Sequence, residues 1–222
     1  MTIYTYGCSW SYGVLNDQYD VMSWPEKLAE KLPNHNIEDY SLPGTDLQYS
    51  VYHLWNNLKS CDLSDIHIFQ ATAPWRFTYW PEKCFLQQGL RTQKTENYSK
   101  FKPDVTKSLK RYFPRTDDGA TEQGFVNPDL GFHKKLYHHT TLEQIDCQHQ
   151  VEIMWANSVA NLTFCWFVPR PQHHLLRHIP IIDNVLGPKD FQSYVHDPGQ
   201  HFNDVGCERV ADWVIEQIQD RL

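Results

Sequence analysis

Long apolar runs are missing from this 222-residue chain. No stretch approaches the roughly 20 consecutive apolar residues of a membrane span, so no membrane partner is expected. The N-terminus, MTIYTYGCSWSYG, lacks the basic segment and apolar stretch of a signal peptide. Cysteines are few and scattered. The six of them (Cys8, Cys61, Cys84, Cys147, Cys165, Cys207) form no C-x-x-C pair, and a chain of this size does not need disulfide staples. Reduced thiols and a cytoplasmic location are therefore expected. The twelve histidines show neither H-E-x-x-H nor zinc-finger spacing, so no metal is expected. Internal repeats and low-complexity segments are absent. An excess of positive charge is absent too: the formal net charge is −7, which disfavours nucleic acid.

What remains is an ordinary globular composition, 41% hydrophobic and 21% charged. The length suits a single domain spanning residues 1–222. The charge is split along the chain. Residues 72–140 carry 12 Lys/Arg against 7 Asp/Glu, and the remainder carries 8 against 20. One basic segment thus lies inside an acidic protein.

The N-terminal third alternates strand and helix signals. Residues 3–6 form a short β-prone run ending at Gly7. Ser23-Trp24-Pro25-Glu26 is a capping box, and Trp24, Leu28 and Leu32 follow at a spacing of four, which predicts a helix stopped near Pro33. Residues 36–42 read as a second strand. A helix capped by Thr45 or Asp46 follows, with Leu47, Val51, Leu54 and Leu58 on one face. Residues 65–71 read as a third strand. Strand, helix, strand, helix, strand implies right-handed crossovers and a parallel sheet.

The rhythm breaks at residues 72–140. This stretch holds 12 of the 31 aromatics and is punctuated by Pro103, Pro114, Gly119, Gly124, Pro128 and Gly131. It reads as mostly loop, with a helix at residues 105–112. It is either a lid over a binding site or an irregular cap on the sheet. Regularity returns with a helix at residues 142–160 and a fourth strand at 161–168. A last helix starts at Asn203 or Asp204, with Cys207, Val210, Ala211, Val214 and Ile218 inward.

Three features stand where an open α/β sheet places its active site, beyond the carboxyl ends of its strands. Gly7-Cys8-Ser9-Trp10-Ser11-Tyr12-Gly13 follows the first strand; a serine in such a turn is either an exposed nucleophile or a turn residue. Pro43-Gly44 follows the second strand, and a glycine there lets a backbone N–H approach a ligand. His196-Asp197-Pro198-Gly199-Gln200-His201-Phe202-Asn203-Asp204-Val205-Gly206 precedes the last helix. An aspartate shortly before a histidine orients one ring nitrogen while the other faces a serine; a polar turn capped by Asn203 is the plainer reading.

In this order the three features resemble the SGNH (GDSL-type) hydrolases. His201 to Gly206 followed by Val210-Ala211 is similar to that family's His-Pro-Asn-x-x-Gly…Val-Ala run. The resemblance implies a three-layer α/β/α sandwich with a flavodoxin-like parallel sheet of about five strands, here with a long insertion after the third. It implies Ser9 as nucleophile, His201 as general base and Asp197 as its orienting carboxylate. It further implies an oxyanion hole from the backbone N–H groups of Ser9 and Gly44 plus a donor from Thr72 or Gln70. No cofactor is implied. The expected activity is hydrolysis of a carboxylic ester, with an O-acetyl ester on a carbohydrate as substrate class.

The chain departs from that pattern at several places. Cys8 stands where the family has aspartate, and it offers a cysteine nucleophile as runner-up. Gln70-Ala71-Thr72 replaces Gly-x-Asn. Asp197 precedes His201 by four residues instead of three, which permits a bulge at Gly199 or a Ser-His dyad. A non-catalytic glycan- or protein-binding module and an acyltransferase are the alternative functions. Arg76 suits either a substrate anion or a salt bridge. Trp75, Tyr79 and Trp80 suit either sugar stacking or a core. If the basic segment roofs the site, an anionic glycan is favoured. The sequence assigns no oligomeric state.

Overall fold

The structure is a computed structural model describing residues 1–13, 21–42, 47–71, 77–79, 90–102, 110–115, 119–122, 142–165, 191–196 and 201–222. Its elements in chain order are β1 (Thr2–Tyr6), α1 (Ser9–Tyr12), α2 (Trp24–Lys31), β2 (Asn36–Asp39), α3 (Leu47–Leu58), β3 (Ile66–Gln70), β4 (Phe77–Tyr79), β5 (Leu90–Thr95), β6 (Tyr98–Lys102), β7 (Lys110–Arg115), β8 (Gly119–Glu122), α4 (Leu142–Val159), β9 (Leu162–Phe164) and α5 (Asp204–Ile218). Short 3₁₀ turns occupy Phe191–Tyr194 and Gln219–Arg221.

The main sheet has the order β5-β6-β2-β1-β3-β9. The five strands from β6 to β9 are parallel, and β5 is an antiparallel edge hairpinned to β6. Helices cover both faces, so all five residues of β3 are buried. Side chains alternate between the faces along β1. Ile3 packs with Ile37, Ile68, Leu28 of α2 and Val210 and Val214 of α5. Tyr6 packs with Phe69, Leu47 and Leu54 of α3 and Ile153 and Ala156 of α4. The result is the three-layer α/β/α arrangement expected from the sequence. No helix among the described residues is long and apolar enough to cross a membrane.

The helices form where their signals predict. Glu26 Oε2 accepts from both the backbone N–H (2.8 Å) and the hydroxyl (2.7 Å) of Ser23, closing the capping box of α2. Asn203 caps α5, its Oδ1 accepting from the Gly206 N–H at 2.9 Å. The five α5 residues expected inward are all buried. Lys27 and Lys31 reach Asp204, Glu208 and Asp212 across the α2–α5 seam, at 2.5 to 3.7 Å. Such surface pairs contribute about 1 kcal/mol or less each; the apolar seam carries the packing.

The segment after β3 differs from expectation. Residues 98–102, expected as loop, form β6, the fifth parallel strand, paired with β2 from Ile37↔Tyr98 to Asp39↔Lys100. Lys110–Arg115 is the strand β7, so the helix expected at 105–112 does not continue through its last three residues. Residues 103–109 lie outside the described set. The β-prone Tyr112-Phe113 pair instead sits between β4 and β8 in a separate three-stranded sheet. Pro114 falls beyond the β4 pairing, so its missing N–H costs no bond on that side.

Two imidazoles lie in the layer between the sheet and α3. His53 sits among the rings of Tyr40, Tyr49 and Tyr52. His67 stacks on Tyr4 with ring centroids 4.9 Å apart. The Tyr6 hydroxyl accepts from Asn57 Nδ2 at 3.0 Å and shares a hydrogen bond with His67 Nδ1 at 2.9 Å. Burial lowers His53 to about 3 and His67 to about 4, from an ordinary 6.5. The unfolded chain takes up these protons as pH falls below about 6.5; the folded chain does so only near those lowered values. Their contribution to stability is therefore full above pH 6.5 and is lost as pH falls from there through the folded values. The melting temperature is expected to drop between pH 7 and pH 4.5, and His53→Phe should flatten that dependence. Identical slopes for variant and wild type, by differential scanning calorimetry, would reject the assignment.

Candidate functional site

β1 is the middle of the five parallel strands, and its carboxyl end carries Gly7 and Cys8 into α1. The N-cap residue Cys8 is extended (φ −109°) and fully buried. Its carbonyl accepts from the N–H groups of Ser11 (3.1 Å) and Tyr12 (2.9 Å), which winds the chain into one tight turn. Gly13 ends the turn in the left-handed region, at φ 71°, where a side chain would be strained. Ser9, the first residue of this turn, retains 7% of its surface exposed. Among the described residues neither its backbone N–H nor its hydroxyl makes a hydrogen bond.

Cys8, the runner-up nucleophile, has no exposure and belongs to the apolar cluster with Ile3, Trp24 and Val210. Its thiol points at Gln70 Oε1, 3.5 Å away. The turn thus leaves the serine a small exposed surface and the cysteine none.

Gln70 ends β3 next to β1 and is completely buried. Its Oε1 accepts from the Cys8 N–H and from the Ser11 hydroxyl, both at 3.1 Å. Its Nε2 donates to the carbonyl of Ala71. A Cβ on Gly7 would collide with the Ser11 hydroxyl and with Gln70 Oε1, so the missing side chain is what lets the three converge.

The far end of the turn is held from β6. Lys100 is 3% exposed, donates to the Tyr12 carbonyl at 2.7 Å, and lies 3.4 Å from the centroid of the Tyr12 ring. Its register partner Asp39 is fully buried. Asp39 Oδ1 accepts from the Thr5 hydroxyl and the Ser41 N–H, both at 2.9 Å, and Oδ2 from the Tyr98 hydroxyl at 3.0 Å. Burial pushes the Asp39 carboxyl up; the Lys100 charge, then the Ser41 and Thr5 bonds, pull it back.

His201 comes from the segment before α5. Its carbonyl accepts from the His196 N–H at 2.8 Å, and Val195 bridges Phe202. The Asn203 side chain donates to the carbonyls of Ser193 and Val195. Gly206 has no room for a Cβ against the Tyr194 carbonyl, so that carbonyl lies directly on the start of α5. The half-buried imidazole packs on the ring of Trp10, with centroids 5.3 Å apart, and its Nδ1 is turned away from solvent. Trp10 also meets Phe202 edge-on at 4.8 Å. Since Trp10 follows Ser9, this contact brings the His201 loop alongside the serine turn.

Two solved structures match along their whole length. One is the crystal structure of TesA, at 9% identity and a TM-score of 0.49. The other is a member of the lipolytic protein G-D-S-L family from Veillonella parvula DSM 2008, at 14% and 0.48; each comparison covers 100% of both chains. No protein-family model and no curated protein matches the sequence.

Of the residues singled out from the sequence, Cys8, Ser9, Gln70 and His201 are described with their side chains. Asp197, Gly44, Thr72, Arg76, Trp75 and Trp80 lie outside the described residues. Trp10, Ser11 and Lys100 were not singled out. The first two sit inside the Gly7–Gly13 motif. Lys100 counted only as one charge of the basic segment, with nothing in its neighbours to mark it as buried.

Removing the Lys100 ammonium takes the donor from the Tyr12 carbonyl and the charge that offsets the burial of Asp39. Lys100→Met should therefore cost about 1–3 kcal/mol of stability. Adding Asp39→Asn should recover more than half of that loss in urea denaturation. A double variant no more stable than the single one would mean that the two residues are not coupled.

Proposed function

We propose that the protein is a serine ester hydrolase. The observation that carries this reading is the contact of Trp10 with the His201 imidazole beside Ser9, whose N–H and hydroxyl make no bond among the described residues, at the carboxyl end of β1. Ser9 Oγ attacks the ester carbonyl while His201 takes its proton. The tetrahedral intermediate collapses with cleavage of the carbonyl carbon–alkoxide bond, and the leaving alcohol takes the proton from His201. Water then attacks the acyl-enzyme with His201 again as base, releasing the acid and restoring Ser9. Asp197 holds the imidazole and stabilises its charged form.

The backbone N–H groups of Ser9 and Gly44 and the hydroxyl of Thr72 receive the oxyanion. One such donor is typically worth about 3–4 kcal/mol of barrier. Thr72 is preferred to Gln70 as the third donor, because Gln70 is sealed from solvent with its amide on Ala71. The substrate class is a short acyl ester on a carbohydrate, with Arg76 on an anionic group and Trp75 and Trp80 on sugar faces.

A fluorophosphonate probe should label the wild type and not Ser9→Ala, and the wild type should cleave short-chain aryl acetates. An unlabelled, inert wild type would leave a binding module in place of an enzyme. Asp197→Asn should lower kcat by about 10³–10⁴-fold with the fold intact; a negligible change would mean a Ser-His dyad. Activity on an acetylated anionic glycan should fall with ionic strength while activity on a neutral ester stays level. Equal salt dependence would remove the anionic substrate from the reading.

A further inference from the structure

α1 is a single turn, too short to hold its own geometry by cooperative hydrogen bonding. Its N-cap residue, Cys8, makes no side-chain cap bond. The N–H of Cys8 is nevertheless buried, and a buried backbone donor needs a partner. That partner is Gln70 Oε1. A backbone N–H can only donate, so the atom facing it must be the amide oxygen, and the orientation of the Gln70 side chain follows without ambiguity. The same oxygen takes the Ser11 hydroxyl from the other side of the turn.

The peptide of Cys8 is thus fixed at both ends. Its carbonyl accepts from Ser11 and Tyr12, and its N–H is held by Gln70. The next N–H along the chain, that of Ser9, makes no bond among the described residues. Gln70 itself is tied to the sheet through Ala71, whose carbonyl it meets and whose N–H donates to Phe164 at 2.8 Å. Side-chain placement is therefore referenced to β3 and β9 and not to a loop.

We propose that Gln70 is the positioning residue of the Ser9 turn. It occupies the N–H preceding Ser9 and the hydroxyl of Ser11, leaving the N–H and hydroxyl of Ser9 for the substrate. The assignment rests on the hydrolase reading for its kinetic consequence and on the hydrogen-bond geometry for its structural one. It gives Gln70 a role that an oxyanion donor would not have, because its acceptor end, not its donor end, faces the turn.

The test uses Gln70→Met, which keeps the length and removes the acceptor. With an aryl acetate, kcat should fall about 10- to 100-fold while KM stays within about twofold, as expected for a misplaced nucleophile. The protection of the Cys8 amide in hydrogen exchange should fall in parallel. Gln70→Glu, held neutral by burial, keeps an oxygen facing both donors and an O–H for the Ala71 carbonyl, and should recover most of the lost labelling rate with a fluorophosphonate. Ser11→Ala should add nothing to Gln70→Met, since both remove the same contact.

A Gln70→Met enzyme with wild-type kcat would overturn the proposal. So would Gln70→Glu no faster than Gln70→Met, or independent, multiplying losses for Gln70 and Ser11. If the wild type is not labelled at all, the hydrolase reading fails separately. Cys8 amide exchange then decides the geometry alone: protection unchanged by Gln70→Met would overturn the hold on the turn.

Discussion

Parallel strands end side by side, and each leaves its last backbone groups without a ladder partner at one common edge. Buried groups of that kind must be satisfied by something. At this edge the answers are specific. The Tyr40 N–H donates to Thr5, Leu42 to Gly7 and Ala71 to Phe164, so the chain leaving one strand borrows a carbonyl from its neighbour. The Cys8 N–H has no such neighbour and takes the Gln70 side chain. This one unsatisfied donor fixes where α1 starts, which residue it presents and why position 7 carries no side chain. The Ser9 turn is in that sense a solution to a backbone problem, and it leaves the Ser9 N–H without a bond among the described residues.

The same edge changes what the charge pattern means. Residues 72–140 carry the positive excess and invite the picture of a basic roof over the site. Lys100, one of those charges, is instead a strand residue beneath α1, engaged with a carbonyl and opposite a buried carboxylate. Buried there, it holds the far end of the turn through the Tyr12 carbonyl. Arg91 and Lys94, on β5, belong to the edge strand of the main sheet.

Legibility followed the range of the interactions. The capping box at Ser23, the Asn203 cap and the inward face of α5 were readable because each depends on residues three or four apart. The parallel core was readable from the alternation of strand and helix. β6 was not, because Tyr98–Lys102 is polar in composition and becomes a strand only by pairing with β2, about 60 residues upstream. The site divides the same way. Ser9 and His201 stand in recognisable blocks, whereas Gln70 was readable as a possible donor but not as an acceptor. Its direction depends on a backbone N–H 62 residues away.

Two departures from the SGNH-type pattern become one when seen in space. The pattern has aspartate at position 8 and glycine at position 70; this chain has Cys8 and Gln70. The thiol lies 3.5 Å from Gln70 Oε1, with a hydrogen to donate, inside an apolar cluster. A carboxylate in its place would set acceptor against acceptor and bury a charge among Ile3, Trp24 and Val210. A glycine at 70 would in turn leave the Cys8 N–H and the Ser11 hydroxyl with no oxygen to meet. Each replacement is acceptable because of the other. The pair keeps the serine turn in place by a neutral, fully buried contact, while the buried charges of Asp39 and Lys100 stand on the β2–β6 side.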